Sequence, residues 1–161
     1  MAALAVYRKN AMRCTECGYV YFHNTCASVA GIIEMGEGIL LTIRAHEPKA
    51  GMYDLPGGFV DYNESAEDAL LREIREELGL EVTIASYLGS FPNRYVYRNV
   101  VYFTTDIFFL CRPAVAGARI AGNEEISRWD IFPIDELPLD GIGFESNVKA
   151  LQLYRGRIVS R

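Results

Sequence analysis

The chain has 161 residues, half of them hydrophobic and 23% charged, with a formal net charge of −5, which suits one domain with its own core and leaves no room for a second full one. Its apolar runs stop well short of the roughly 18 residues of a membrane span, and its start lacks the apolar stretch of a secretory signal, so a cytoplasmic protein with no membrane partner is expected. The acidic balance disfavours a nucleic acid polymer as partner, but not a small phosphate compound captured through a bound cation.

In chain order, residues 1–27 read as a short arm bearing Cys14, Cys17 and Cys26, and residues 28–161 as a single compact unit. Residues 29–34 and 38–43 are apolar and β-branched, and predict two strands joined at Met35-Gly36-Glu37. Residues 65–78 have helical spacing, with Asn63 or Ser65 as N-cap and Gly79 as the residue that ends the helix. A further long strand is expected at 100–110 and a shorter helix at 147–154, where Val148, Leu151 and Tyr154 recur every third residue. Strands mixed with two helices imply an α/β fold in which helices cover a mixed β-sheet.

The helix at 65–78 carries the chemistry. At about 100° per residue, Leu70, Leu71, Ile74 and Leu78 share one arc, and Asp68, Arg72 and Arg75 the opposite one. Glu73, Glu76 and Glu77 fall on the remaining flank, beside only the small side chains of Ala66 and Ala69. That placement is unfavourable: like charges at i,i+4 cost about 0.2–0.5 kcal/mol, and acids in the last turn oppose the helix dipole. A solvated Glu/Arg face is one explanation. The other is a hard divalent cation, for which three carboxylates on adjacent turns form a platform.

Gly58, then Glu64, then Arg72-Glu73-Ile74-Arg75-Glu76-Glu77-Leu78-Gly79-Leu80 stand at the spacing of the Nudix box, and Leu55-Pro56-Gly57-Gly58-Phe59-Val60 resembles the approach to it. The resemblance implies an α/β/α sandwich, and an enzyme that hydrolyses a diphosphate linkage in a nucleoside diphosphate joined to another moiety, ADP-ribose or dinucleotide-like. Mg2+, with Mn2+ as a substitute, is the implied cofactor. Glu73, Glu76, Glu77 and the Gly57 carbonyl are the implied metal ligands, and Arg72 an electrostatic partner of the acids, pairing with Glu64. The general base is either Glu73 or an acid from a later loop, for which Glu124 and Glu125, just before Trp129, are placed; Glu125 is taken as the catalytic candidate. Arg44, Tyr53 and Arg94 are candidate substrate-binding residues, and a homodimer is the oligomeric expectation.

Cys14-Thr-Glu-Cys17-Gly-Tyr resembles half of the zinc ribbon that precedes this domain in NADH pyrophosphatase-like relatives. Two readings of Cys14 and Cys17 stand: a metal-free remnant, or a zinc site completed by His23 and Cys26 or shared across a dimer. The segment 88–95 departs from the stretch those relatives carry after the box, which sets NADH specificity aside. The remaining readings are a nucleoside triphosphate pyrophosphohydrolase and a non-catalytic nucleotide sensor, against which the intact acids of the box argue.

Overall fold

A computed structural model of the protein describes residues 4–159. The arm forms a small antiparallel sheet of β1 (Leu4–Arg8), β2 (Ala11–Cys14) and β3 (Val20–Phe22). Seven strands then build the main sheet: β4 (Cys26–Met35), β5 (Gly38–Arg44), β6 (Tyr53–Asp54), β7 (Gly57–Phe59), β8 (Val82–Tyr97), β9 (Val100–Pro113) and β10 (Ile126–Pro133). Its central path runs β10-β5-β4-β9-β8, with β6 added to β5 and β7 to β4. The central β4/β9 pairing, from Cys26↔Thr104 to Ile33↔Cys111, is parallel; the strand-to-strand pairings of β5, β6, β7, β8 and β10 are antiparallel, so the sheet is mixed as expected.

Strand alternation in β4 and β5 builds a core on each face of the sheet. Val29, Ile33 and Leu40 pack under α1 (Ala66–Leu78) with Leu70, Ile74 and Leu78. Their neighbours Ala30, Ile32, Ile39 and Leu41 pack on the other face against Ala150, Leu151 and Tyr154 of α2 (Glu145–Val159). This is the helix-sheet-helix sandwich, buried on both sides at its centre, which is why the two central strands read as continuous apolar runs.

Helix α1 starts and stops where its sequence says. The Ser65 side chain accepts the Asp68 amide at 3.1 Å, and Gly79 adopts φ 59°, its amide closing on the Arg75 carbonyl at 2.9 Å. Helix α2 extends well beyond the expected 147–154. Strand β8 and the three-stranded sheet of the arm were not legible at all. In β8, register shifts at Ile84/Ser86 and Tyr87/Gly89 break the two-residue period that would mark it as a strand. Among the described residues no helix is long and apolar enough to cross a membrane.

Candidate active site

The short strand β7 holds the backbone of the box against β4. Gly57 pairs with Ala30 at φ 148°, a backbone conformation that favours glycine, and a Cβ there would run into the Val29 carbonyl. A side chain on Gly58 would strike the Glu73 carboxylate. Two glycines thus let the backbone lie directly against the acids of α1, and the Gly57 amide donates to Glu77 Oε2 at 3.0 Å.

Arg72 organises the acids. Its Nε and Nη2 grip Glu64 at 2.8 and 2.9 Å, its Nη1 reaches Glu73 at 2.9 Å and Glu76 at 3.4 Å, and Nη2 also donates to the Phe59 carbonyl at 3.2 Å. The expected Arg72–Glu64 pair is therefore present, and the guanidinium turns toward the box rather than to the opposite arc where the helical wheel put it; its long stem lets the charge reach sideways. Arg75 does face away, and bonds Glu81 at 2.6 Å.

Glu73, Glu76, Glu77 and Glu125 share one cavity of about 340 Å³ with Gly57 and Gly58. Burial pushes the Glu73 carboxyl above its ordinary value, with Arg72 opposing and the charges of Glu76 and Glu125 adding to the rise. Burial raises Glu77 further, opposed by the Gly57 amide and reinforced by Glu73, Asp54 and Glu125. Glu125 comes from the loop before β10 and Glu124 lines an adjoining recess.

Among the described residues no three His, Cys, Asp or Glu side chains are closed around a common point. Glu73 is turned to Arg72 and Glu77 to the Gly57 amide. The donor set nonetheless fits a hard divalent ion: oxygen ligands only, with the charged forms of Glu73 and Glu77 disfavoured, beside a backbone that no Cβ obstructs.

The remaining sequence candidates divide. Arg44 lies on the cavity wall, fixed by an ion pair to Asp54 at 2.8 Å, by its Nε to the Pro48 carbonyl at 2.7 Å, and over the Phe144 ring at 5.3 Å. Tyr53 lies off this cavity: its neighbour Asp54 faces in, and strand alternation sends Tyr53 the other way, edge-on to Phe132 and bonded to Asp130 at 3.1 Å. Arg94 lies off it for the same reason, exposed between Asn93 and Tyr95, which line the cavity. Cys14 and Cys17 share the β2–β3 turn, where backbone amides of Cys17 and Glu16 and the Cys17 thiol hold Cys14 below its ordinary value. His23 instead meets the Phe103 ring and Cys26 lines a recess with Phe59, Tyr95, Tyr97 and Tyr102, so the four-ligand set is not assembled.

Two buried acids were missed. Asp54, behind Arg44, also accepts the Leu55 amide at 2.9 Å and the Asn147 side-chain amide, and burial raises its pKa despite Arg44. Asp106 accepts hydroxyls from Ser28, from Thr104 at 2.6 Å and from Ser146 at 2.6 Å. Both are buried carboxylates, and each is met by partners from several elements, as a buried charge requires.

The pattern of the NUDIX domain matches residues 23–153 of the chain. An ADP-ribose pyrophosphatase of Methanocaldococcus jannaschii is 35% identical over 132 residues, 81% of this chain and 74% of that one. The NAD-capped RNA hydrolase NudC of Haemophilus influenzae is also 35% identical, over 98 residues, but these are 60% of this chain and only 37% of that one. A NUDIX hydrolase structure from Nitrosomonas europaea superposes with a TM-score of 0.79 at 21% identity, covering 99% of this chain and 88% of that one, a likeness of fold. Domain pattern, shared sequence and superposed fold agree with the box on α1, and the chain belongs to the Nudix hydrolases.

Proposed function

We propose that the chain hydrolyses the diphosphate of a nucleoside diphosphate linked to another moiety, ADP-ribose or a dinucleotide-like compound, with Mg2+ held by Glu73, Glu76, Glu77 and the Gly57 carbonyl. The observation that carries this is the gathering of Glu73, Glu76, Glu77 and Glu125 against two glycines in one cavity that also exposes Arg44. When bound, the cation neutralises diphosphate oxygens and eases departure of the leaving phosphate.

The chain's own residues supply the rest. Arg44, locked by Asp54, presents a fixed guanidinium to a phosphate oxygen. Glu125 takes the proton of the attacking water as the new O–P bond forms and the bridging P–O bond breaks, the electron pair leaving on the second phosphate. Arg72 is a positioning residue that keeps Glu73 and Glu64 in place. The aromatic recess of Phe59, Tyr95 and Tyr102 adjoins the cavity and offers ring faces to a base. The name of the 35% identical relative favours ADP-ribose within this class; the expectation against nucleic acid polymers stands beside a relative named for NAD-capped RNA, so a capped oligonucleotide belongs in the assay.

The test is a panel of ADP-ribose, dinucleotides, nucleoside triphosphates and capped RNA with Mg2+, run beside Glu76→Gln and Glu77→Gln. Each variant is expected to lose at least about 100-fold in kcat, since electrostatic groups of this kind contribute several kcal/mol. Near-normal turnover in both would reject the assigned roles. An arm at 1–27, a catalytic unit at 28–161, a cytoplasmic location and a homodimer belong to the same proposal; light scattering checks the last.

A further inference from the structure

One wall of the cavity, where Ser28 pairs with Phe59 beside the box, is formed by residues that the hydrolytic reading does not use. Asp106 stands there in β9, 8% exposed, with Ser28, Thr104, Asn93 and Asn147 also lining the wall. The bonds Asp106 receives come from three hydroxyls on three elements: Ser28 on β4, Thr104 on β9 and Ser146 on α2. A hydroxyl has one proton to give, and here each is given to Asp106, so Ser28 and Thr104 turn lone pairs to the cavity. A carboxylate has about four lone-pair sites and three are filled.

This wall of the cavity therefore presents hydrogen-bond acceptors gathered around Asp106. A further phosphate or a carboxylate would set acceptor against acceptor there. A hydroxyl fits, because it can give its proton to the acceptors at Asp106 while its oxygen takes one from an amide. Asn93 is placed to supply that donor: its Oδ1 already accepts the Arg94 backbone amide at 2.8 Å, which leaves its NH2 for the cavity. A vicinal diol would use both partners at once.

We propose that Asp106, presented by Ser28 and Thr104, reads hydroxyls on the arm of the substrate beyond the diphosphate, so that this arm is a sugar and not a second anion. The proposal rests on the hydrolase reading above and names a specificity-determining residue within it. The same three hydroxyl bonds also tie β4, β9 and α2 together, so the experiment must separate recognition from folding.

The probes are ADP-ribose and P2-methyl ADP, in which a methyl ester replaces the ribosyl group. The wild-type protein is expected to favour ADP-ribose by at least about tenfold in kcat/KM, mostly through KM, as suits a hydrogen bond to a charged group. With Mg2+ removed by EDTA, ADP-ribose should still raise the melting temperature more than P2-methyl ADP does. Asp106→Asn and Ser28→Ala are each expected to shrink both differences, Asp106→Asn to near parity, an effect that a purely structural loss would not produce because it would lower both substrates alike. Should Asp106→Asn fail to fold, Ser28→Ala and the wild-type comparison decide. Equal handling of the two probes by the wild type, or an unchanged preference in the variants that fold, overturns the proposal. Cleavage of other diphosphates with neither probe accepted also overturns it and leaves the hydrolase reading intact; no cleavage of any diphosphate sinks that reading itself.

Discussion

Arg72 shows how much one side chain can decide here. Its guanidinium serves Glu64, Glu73, Glu76 and the Phe59 carbonyl, in a planar fork that lysine cannot reproduce. Arg72→Lys is expected to cost about 1–3 kcal/mol in chemical denaturation, through lost charge-assisted bonds, and to lower kcat more than it raises KM, because the loop carrying Gly57 and Glu64 loses its anchor. A variant as stable and as active as the wild type would show that Glu64 and Glu73 hold their places unaided. The pairing with Glu64 was legible in the sequence because both positions belong to the box. Asp54 and Asp106 were not, since what identifies them is the Arg44 guanidinium and the Ser146 hydroxyl that meet them from distant parts of the chain.

For elements, legibility followed periodicity. Helix α1 announced itself through Ser65, its apolar arc and Gly79, and the structure uses each of them. Ser65→Ala is expected to destabilise by about 1 kcal/mol through loss of the N-cap. Gly79→Ala should cost about as much, since it forces a Cβ into the left-handed region at φ 59°. Denaturant midpoints measure both, and a change under a few tenths of a kcal/mol in either would mean the fold, not the cap, sets that boundary. Strands were harder. Tyr53 and Arg94 were placed in the site by chemical type, but a strand shows one face to each side, and moving by one residue exchanges them; the residues facing the cavity are Asp54, Asn93 and Tyr95. Strand β8 conceals its parity behind two register shifts, so no count along the sequence could have recovered which of its side chains face in.

Across the whole molecule, a sandwich stabilised by apolar layers on both faces of its sheet supports a cleft of acids that oppose one another. That opposition has a sign in the stability curve. Glu77 and Glu73 are raised above the ordinary 4.5, and Asp54 above 3.8, so the folded state holds their protons more tightly than the unfolded chain does. Metal-free stability is therefore expected to fall as pH climbs from the ordinary carboxylate range through these raised values. Glu64, Glu81 and Glu145 act in the opposite sense, held below 4.5 by Arg72, Arg75 and Lys149, so they contribute stability that is lost as pH drops below that value. Together these place the metal-free optimum near the ordinary carboxylate value of 4.5, where neither loss has set in. Excess Mg2+ binds the ionised acids and stabilises the folded state by mass action, so its gain in melting temperature should grow from about pH 5 to about pH 8. Glu77→Gln removes an acid raised well above its ordinary value, and is expected to flatten the metal-free decline and to diminish the Mg2+ gain together. Thermal melts across that range, with EDTA and with Mg2+, measure both quantities in one series. A Mg2+ gain independent of pH, or one that Glu77→Gln leaves untouched, would mean that the cation settles away from these acids.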